Sequence, residues 1–218
     1  MGIVDLKKLG LISGKLGPYV AYVSKDGKQI LRKHVIPKDP KTPKQLAYRM
    51  RFGMVNKSLS PLNRVIKKGF LNTDNAYRKA VSKALNNAVI GEYPEYKLDY
   101  SKIQVAEGKL QLPTFVSVNV DSNTKLATVN WNPEPIFDTY PGREDDRVNI
   151  VCLNESTPEA VCFHNSAKRS KGTATIDLSS KMVINKLWSI KDLHFWLYLS
   201  TYDITQNSDS IYIKCTEK

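Results

Sequence analysis

The sequence predicts an α+β protein, in which a basic N-terminal module (a β-hairpin plus three helices) is followed by an antiparallel β-sandwich. Two observations lead to this prediction. Apolar residues recur with the period of a helix over residues 43–90, and they alternate as in strands after residue 109. The excess positive charge lies in the first half of the chain. We therefore expect two domains, over residues 1–108 and 109–218.

The charge distribution predicts an anionic partner for the N-terminal half. The chain has 218 residues, 41% of them hydrophobic, which is enough for a sizeable core and excludes wholesale disorder. It holds 33 Lys and Arg against 21 Asp and Glu, a net charge of +12. Residues 1–90 carry 19 basic and 4 acidic residues, whereas residues 91–218 carry 14 and 17. Charge asymmetry of this kind indicates an anionic partner for one half.

The N-terminal hairpin is predicted from strand formers and a turn. Strand-forming residues occupy positions 19–23 and 29–35, and Asp26-Gly27 lies between them. Asp-Gly is a strong hairpin signal because glycine accepts the positive φ that the turn requires. The glycine-rich run over residues 13–17 is expected to let the backbone approach another group closely, or to be simply a tight turn into the first strand.

The first predicted helix begins at a capping box. Thr42 and Gln45 have the spacing of that motif, and Pro43 suits the first helical position. Leu46, Met50 and Met54 then recur every four residues, which predicts an apolar face turned toward the core.

Two further helices are predicted before residue 91. Ser60-Pro61 repeats the helix-start signal for a short second helix over residues 62–70. Residues 72–74 are expected to cap a third helix, and Gly91 to end it.

The C-terminal half predicts seven short strands separated by turn residues, the pattern of an antiparallel sandwich. They are expected at residues 114–120, 126–131, 148–153, 160–164, 173–178, 193–201 and 210–215. With Trp131 on the second strand and Tyr198 on the sixth, residues 109–218 resemble fibronectin type III and immunoglobulin-like domains. The resemblance implies that these two rings pack together.

The cysteines and the lengths of the apolar segments predict the cellular location of the protein. Cys152, Cys162 and Cys215 are odd in number and have no C-x-x-C spacing, so reduced thiols are expected rather than disulfides or zinc ligands. The spacing also allows Cys152 and Cys162 to face one another across a hairpin. Since the sequence has no signal-peptide core or spanning segment, we expect a cytoplasmic or virion protein with no membrane partner.

Catalytic motifs are incomplete, so the sequence predicts no enzyme, cofactor, metal site or small-molecule substrate. The Gly-Lys run at residues 10–16 has the wrong glycine spacing for a phosphate-binding loop, and Leu16 replaces its Ser or Thr. No Gly-x-Ser-x-Gly elbow is present, and His34, His164 and His194 lie in separate predicted strands. Cys162 and His164 share a strand face, but the sequence identifies no group to orient the imidazole.

Basic side chains of the first half form the candidate site for an anionic partner. Long cationic side chains on a rigid surface neutralise phosphates and release counterions, and they pair equally with protein carboxylates. The sequence does not separate phosphate from carboxylate. The candidate residues are Lys15, Lys25, Lys28, Arg32, Lys33, Lys38, Lys41, Lys44, Arg49, Arg51, Arg64, Lys67, Lys68, Arg78 and Lys79.

Several motifs over residues 10–110 resemble an uncharacterised protein family of Bacteroidota and phage-like gene neighbourhoods. They include Ser13-Gly14-Lys15-Leu16-Gly17, Pro40-Lys41-Thr42-Pro43-x-Gln45-Leu46-Ala47-x-Arg49-x-x-Phe52, Lys68-Gly69-Phe70 and Gly91-x-Tyr93-Pro94-x-Tyr96. This chain has Asp39-Pro40 where the family more often has Asn-Pro. The resemblance implies no established activity and favours a component of a larger assembly.

Three functions remain open from the sequence. The leading one is a non-enzymatic structural or assembly protein, such as a virion component. Its basic module docks on an anionic partner, while the sandwich contacts other proteins. The second is a nucleic-acid-binding protein that uses residues 1–91. The third is a surface adhesin or carbohydrate-binding module, which the missing signal peptide disfavours.

Overall fold

The chain divides into two compact units, residues 1–42 and residues 43–218, in a computed structural model. The structure describes residues 12–71, 73–133, 141–157, 159–179 and 189–217. It is an α+β fold with mostly antiparallel sheets. The division at residue 42 groups the helices with the sandwich, and the predicted domains 1–108 and 109–218 stay a prediction.

The first unit contains a three-stranded antiparallel sheet, which we call the basic sheet. Its strands are β1 (Gly14–Leu16), β2 (Tyr19–Val23) and β3 (Gln29–Lys33), in the order β1-β2-β3. The predicted hairpin is β2-β3, and Gly27 has the positive φ of 74° that its turn needs. The glycine-rich run contains strand β1 as well as a turn, because Gly17 at φ 56° reverses the chain and lets β1 pair with β2.

The second unit begins with helices α1 (Pro43–Leu59), α2 (Asn63–Gly69) and α3 (Ala76–Asn87). The predicted start of α1 at Pro43 agrees with the structure. The α3 N-cap is Asn75, which makes no side-chain capping bond, so α3 begins later than residues 72–74 predicted; Asn72 itself lies outside the described residues. After α3, the two-residue strands β4 (Val89–Ile90) and β5 (Lys97–Leu98) pair with each other.

The predicted inward face of α1 is wrong over its first turns. Leu46 and Met50 are 36% and 45% exposed, whereas Val55 and Leu59 are fully buried. The packing explains the difference, because the hydrophobic core beneath the helices includes α1 residues only from Met54 onward. A four-residue apolar repeat identifies a helix but does not show how much of it meets the core.

The rest of the second unit forms a sandwich of two four-stranded sheets, ordered β10-β7-β6-β13 and β12-β11-β8-β9. The strands are β6 (Thr114–Val120), β7 (Leu126–Asn132), β8 (Arg147–Asn154), β9 (Glu159–Lys168), β10 (Thr173–Asp177), β11 (Leu193–Ser200), β12 (Ile211–Ile213) and β13 (Cys215–Glu217). The last predicted strand is thus two strands, because the chain changes sheet at Lys214. β13 pairs with β6 in parallel, so the sandwich is not entirely antiparallel.

The sheet β12-β11-β8-β9 is covered on both faces. On β11, Phe195 and Leu197 point into the sandwich core, while the alternating Trp196 and Tyr198 point into the core beneath the helices. The expected packing of Trp131 on Tyr198 is therefore wrong, since Trp131 belongs to the sandwich core. The helices form a third layer on the outer face of this sheet.

Hydrogen bonds from side chains to backbone carbonyls connect the helical layer to the sandwich. The Trp196 indole N–H donates to the Ile103 carbonyl at 3.0 Å. The Asn207 side-chain amide donates to the Gly69 carbonyl at 2.8 Å, which ties the end of α2 to the segment after β11. Within the described residues, no helix is both long and apolar enough to cross a membrane.

Candidate functional site

The basic sheet exposes large apolar side chains on both of its faces. Strand alternation and pairing place Leu16, Tyr19 and Val23 on one face, and Tyr22 on the other. These four side chains are 38–46% exposed. Most sheets bury one face against a core, so a sheet that is open on both faces is suited to binding a partner.

Positive charge surrounds these apolar side chains. The described part of the first unit, residues 12–42, contains seven Lys and Arg against two Asp. Lys15 and Arg32 share a face with Tyr22, and the Arg32 guanidinium carbon lies 5.8 Å from the centre of its ring. Lys33 lies on the opposite face beside Tyr19. Each face of the basic sheet therefore combines a tyrosine with cations.

The first turns of α1, residues 43–53, form a second exposed surface, which we call the exposed half of α1. Tyr48, Met50 and Phe52 are 62%, 45% and 44% exposed. The helix has no acidic residue and four basic ones. This surface was not predicted from the sequence, although one signal was available: apolar residues occur on several sides of these turns, which is typical of a helix that a partner surrounds.

The predicted basic residues fall into separate groups. Seven belong to the first unit, on the basic sheet, in its turn or after β3: Lys15, Lys25, Lys28, Arg32, Lys33, Lys38 and Lys41. Eight belong to the helices of the second unit: Lys44, Arg49 and Arg51 on α1, Arg64, Lys67 and Lys68 on α2, Arg78 and Lys79 on α3.

Arg51, Lys68 and Lys79 on the helices bind within the chain. Arg51 donates to the Leu85 carbonyl at 2.9 Å, and the Lys79 ammonium lies 2.7 Å from the Glu107 carboxylate. Lys68 lies 3.4 Å from a ring nitrogen of His164. These contacts hold the helices together and to the sandwich, so the residues have structural roles whatever else they bind.

The Cys162–His164 pair has the orienting group that the sequence did not reveal. His164 Nδ1 lies 3.4 Å from Cys162 Sγ and 3.4 Å from Asn149 Oδ1. Because the Lys68 ammonium can only donate, its contact with Nε2 favours the tautomer in which the ring proton is on Nδ1. In this tautomer Nδ1 donates and has no lone pair with which to take the thiol proton. The arrangement therefore does not make His164 a general base for Cys162.

The three cysteines form no disulfide, and Cys152 and Cys162 do not face each other. In the β8-β9 register Cys152 pairs with Val161, and Cys162 pairs with Val151. Cys152 points into the sandwich core, while Cys162 packs beneath the helices. Complete burial strongly raises the pKa of the Cys152 thiol, so this cysteine is held in its unreactive form.

His194 lies at the contact between the helical layer and the sandwich. Its ring stacks on Tyr100 with 3.9 Å between the ring centres, Nδ1 lies 3.0 Å from the Tyr212 hydroxyl, and Nε2 lies 3.3 Å from the Glu155 carboxylate. Burial lowers the pKa of the imidazole, and Glu155 and Asp192 oppose that effect only in part.

These contacts predict a pH-dependent stability. Because the folded-state pKa of His194 lies below its ordinary value, the unfolded chain binds the proton more readily, and stability falls as the pH drops below about 6.5. Between pH 7.5 and 5.5 we expect the free energy of unfolding to fall by at most about 1.4 kcal/mol per pH unit from this group. Urea unfolding of wild type and His194→Gln at several pH values measures it. Equal slopes in the two proteins would contradict the assignment.

Segment 90–97 forms a concave surface in the second unit. A cavity of about 390 Å³ is lined by Ile90, Gly91, Glu92, Tyr93, Pro94, Glu95 and Lys97. Ile90 and Tyr93 are 45% and 46% exposed, and the side chains of Glu92 and Glu95 are exposed as well. This surface combines exposed apolar side chains with two carboxylates and one ammonium group.

The described arrangement defines a two-sheet sandwich with a helical layer and a separate basic sheet. The chain belongs to DUF6266, a family of unknown function that matches residues 11–214. No curated protein matches it. Among solved structures it is similar to the third fibronectin III domain of the human KIAA0343 protein, with 17% identity over 51% of this chain and 86% of that domain, and a TM-score of 0.29.

Proposed function

We propose that this chain is a non-enzymatic structural protein of a larger assembly, such as a virion, and that its basic N-terminal region docks on an acidic protein surface. The observation that supports this proposal is the basic sheet. Both its faces expose apolar side chains, and the residues around them carry an excess of positive charge. The sandwich makes further protein contacts in the same assembly.

The energetics of the basic sheet favour a protein partner. Among its described residues only Ala21 and Gln29 are buried, so the sheet has almost no core of its own. Covering exposed apolar surface contributes about 25 cal/mol per Å². A protein surface covers Leu16 and Val23 with apolar groups, whereas a phosphate backbone does not. Carboxylates around that surface complement the lysines and arginines and set the orientation of docking.

Nucleic-acid binding is the second candidate function, and the tyrosines of the basic sheet favour it. Tyr19 and Tyr22 expose their rings, and Arg32 lies against the Tyr22 ring. Exposed aromatic rings beside cations stack on unpaired bases in proteins that bind single strands. The two candidates differ in what the basic sheet contacts, phosphates and bases or a protein surface.

Sedimentation of the tagged full chain from its own cells tests the proposal. We expect wild type to travel in a fast-sedimenting complex, and the variant Lys15→Glu, Arg32→Glu, Lys33→Glu to travel apart from that complex, without other proteins. Lys109→Glu, Lys168→Glu, Lys171→Glu is the matched control, since it reverses three exposed charges on the second unit. It should sediment like wild type.

Nuclease treatment of the same lysate separates the two candidates. A complex that survives digestion of DNA and RNA is held by protein contacts, as we propose. A complex that falls apart on digestion, in a protein that also binds a single-stranded oligonucleotide with a steep dependence on salt, belongs to the nucleic-acid candidate. A wild-type chain that sediments alone contradicts both.

A further inference from the structure

The exposed half of α1 continues a stripe that is buried further along the same helix. Residues three and four apart share a helix face, so Tyr48 and Phe52 lie in line with Val55 and Leu59. Val55 and Leu59 are fully buried, whereas Tyr48 and Phe52 are 62% and 44% exposed. The helix face that packs on the core at Val55 and Leu59 therefore continues beyond the core, where its aromatic side chains Tyr48 and Phe52 are exposed to solvent.

A complementary surface lies close by in the same unit. Segment 90–97 has exposed apolar side chains at Ile90 and Tyr93 and carboxylates at Glu92 and Glu95. It adjoins α1, because the Arg51 guanidinium carbon lies 5.7 Å from the centre of the Tyr96 ring. One surface is apolar and basic, and its neighbour is apolar and acidic.

We infer that a second copy of this chain covers the exposed half of α1, placing its own segment 90–97 against it in a reciprocal two-fold dimer. In such a dimer each surface of one protomer meets the other surface of its partner, so both are used twice. The inference rests on the proposed assembly function, to which it adds a self-association step.

Charge selects this pairing over a direct contact between two α1 helices. The helix has four basic residues and no acidic one, so two exposed halves placed side by side bring like charges together. Segment 90–97 instead offers Glu92 and Glu95 to the Lys44 end of the partner's helix. The apolar side chains supply the contact area, and the opposite charges fix its orientation.

Light scattering and sedimentation equilibrium of the purified full chain test the inference. We expect a dimer at micromolar concentration, and we expect Tyr48→Asp to weaken the dimer at least a hundredfold. Because Tyr48 is exposed, that variant should keep the wild-type circular dichroism spectrum and unfolding midpoint. Tyr202→Asp is the matched control, since Tyr202 is 71% exposed in a loop of the sandwich. This variant should dimerise like wild type.

A charge exchange identifies the surface that receives the helix. Lys44→Glu alone, and the pair Glu92→Lys with Glu95→Lys alone, should each weaken dimerisation about tenfold. An equimolar mixture of the two variants should recover it, because the heterodimer restores opposite charges at both contacts. Recovery is measured from the mass of the mixture at a concentration where each variant by itself is monomeric.

The dimerisation experiments test this inference independently of the proposed function. A wild-type chain that is monomeric up to about 200 μM, a dimer that Tyr48→Asp leaves intact, or a mixture that fails to recover overturns the inference. None of these results changes the sedimentation of the complex in cells, which depends on the basic sheet. Conversely, a purified dimer can form even if the chain sediments without other proteins in lysate.

Discussion

Replacing Trp196 with alanine is expected to lower the free energy of unfolding by about 3–5 kcal/mol, the range for removal of a fully buried large aromatic side chain. Trp196 is completely buried beneath the helices, and the Tyr212 ring meets it edge-on at 5.7 Å between centres. Its removal also leaves the Ile103 carbonyl without the indole donor at 3.0 Å. Urea unfolding followed by circular dichroism measures the change.

Two further variants separate the contributions to that loss. Trp196→Phe keeps most of the buried ring but removes the N–H donor, so it should lose less than the alanine variant. Phe115→Ala is the control, because Phe115 is 84% exposed and its removal should change stability by less than about 0.5 kcal/mol. A Trp196→Ala protein that unfolds at the wild-type urea concentration would show that the helical layer does not depend on this contact.

The Trp196 contact matters for function because the helices present the exposed half of α1. They share one hydrophobic core with the outer face of the sheet, to which Val151, Leu153, Trp196 and Tyr198 contribute. Weakening that attachment should therefore weaken dimerisation through α1 before the sandwich itself unfolds. The basic sheet lies in the other compact unit and is not part of this cluster.

Local elements were predictable from the sequence wherever local chemistry decides them. The Asp26-Gly27 turn and the start of α1 at Pro43 depend only on neighbouring residues, and both agree with the structure. The change of sheet at Lys214 is different. It depends on the pairing of β13 with β6, which lie almost a hundred residues apart in the sequence.

The sequence contains a signal that the sandwich is covered on a second face, but the prediction of strands from alternating apolar residues did not use it. Residues 148–153 and 195–199 contain nearly continuous apolar runs, whereas a strand with one face in solvent alternates apolar and polar residues. β8 and β11 are buried along almost their whole length, as such runs require. The sequence therefore indicated that something covers the second face, but it did not identify the helices as the cover.

The sequence predicted which residues give the candidate site its positive charge, but not which apolar side chains the fold leaves exposed there. The cations were found by counting, because charge is a property of composition. Whether a side chain such as Tyr48 ends in solvent depends on where the core stops, and that is decided by the whole fold. Asn149 could not be linked to His164 for the same reason, since the contact requires the folded pairing of β8 with β9.

Replacing Gly108 with alanine is expected to prevent stable folding, with a loss above about 4 kcal/mol. A Cβ at this position overlaps the carbonyl oxygen and carbon of Asn207, and backbone cannot move aside as a flexible side chain does. The same carbonyl accepts from the Leu110 amide at 3.1 Å, while the Asn207 side chain holds the end of α2. Displacing Asn207 therefore disrupts the contacts on both sides of it.

Gly53→Ala is the matched control for this backbone clash. A Cβ at Gly53 meets no atom within 4 Å, and the residue lies inside α1, where alanine is preferred over glycine by about 1 kcal/mol. We expect Gly53→Ala to raise the urea midpoint slightly, while Gly108→Ala yields aggregated or unfolded chain with no cooperative transition. A Gly108→Ala protein that unfolds cooperatively with near wild-type stability would contradict the close approach of Gly108 to the Asn207 backbone. It would also contradict the role of Asn207 in attaching the end of α2 to the sandwich.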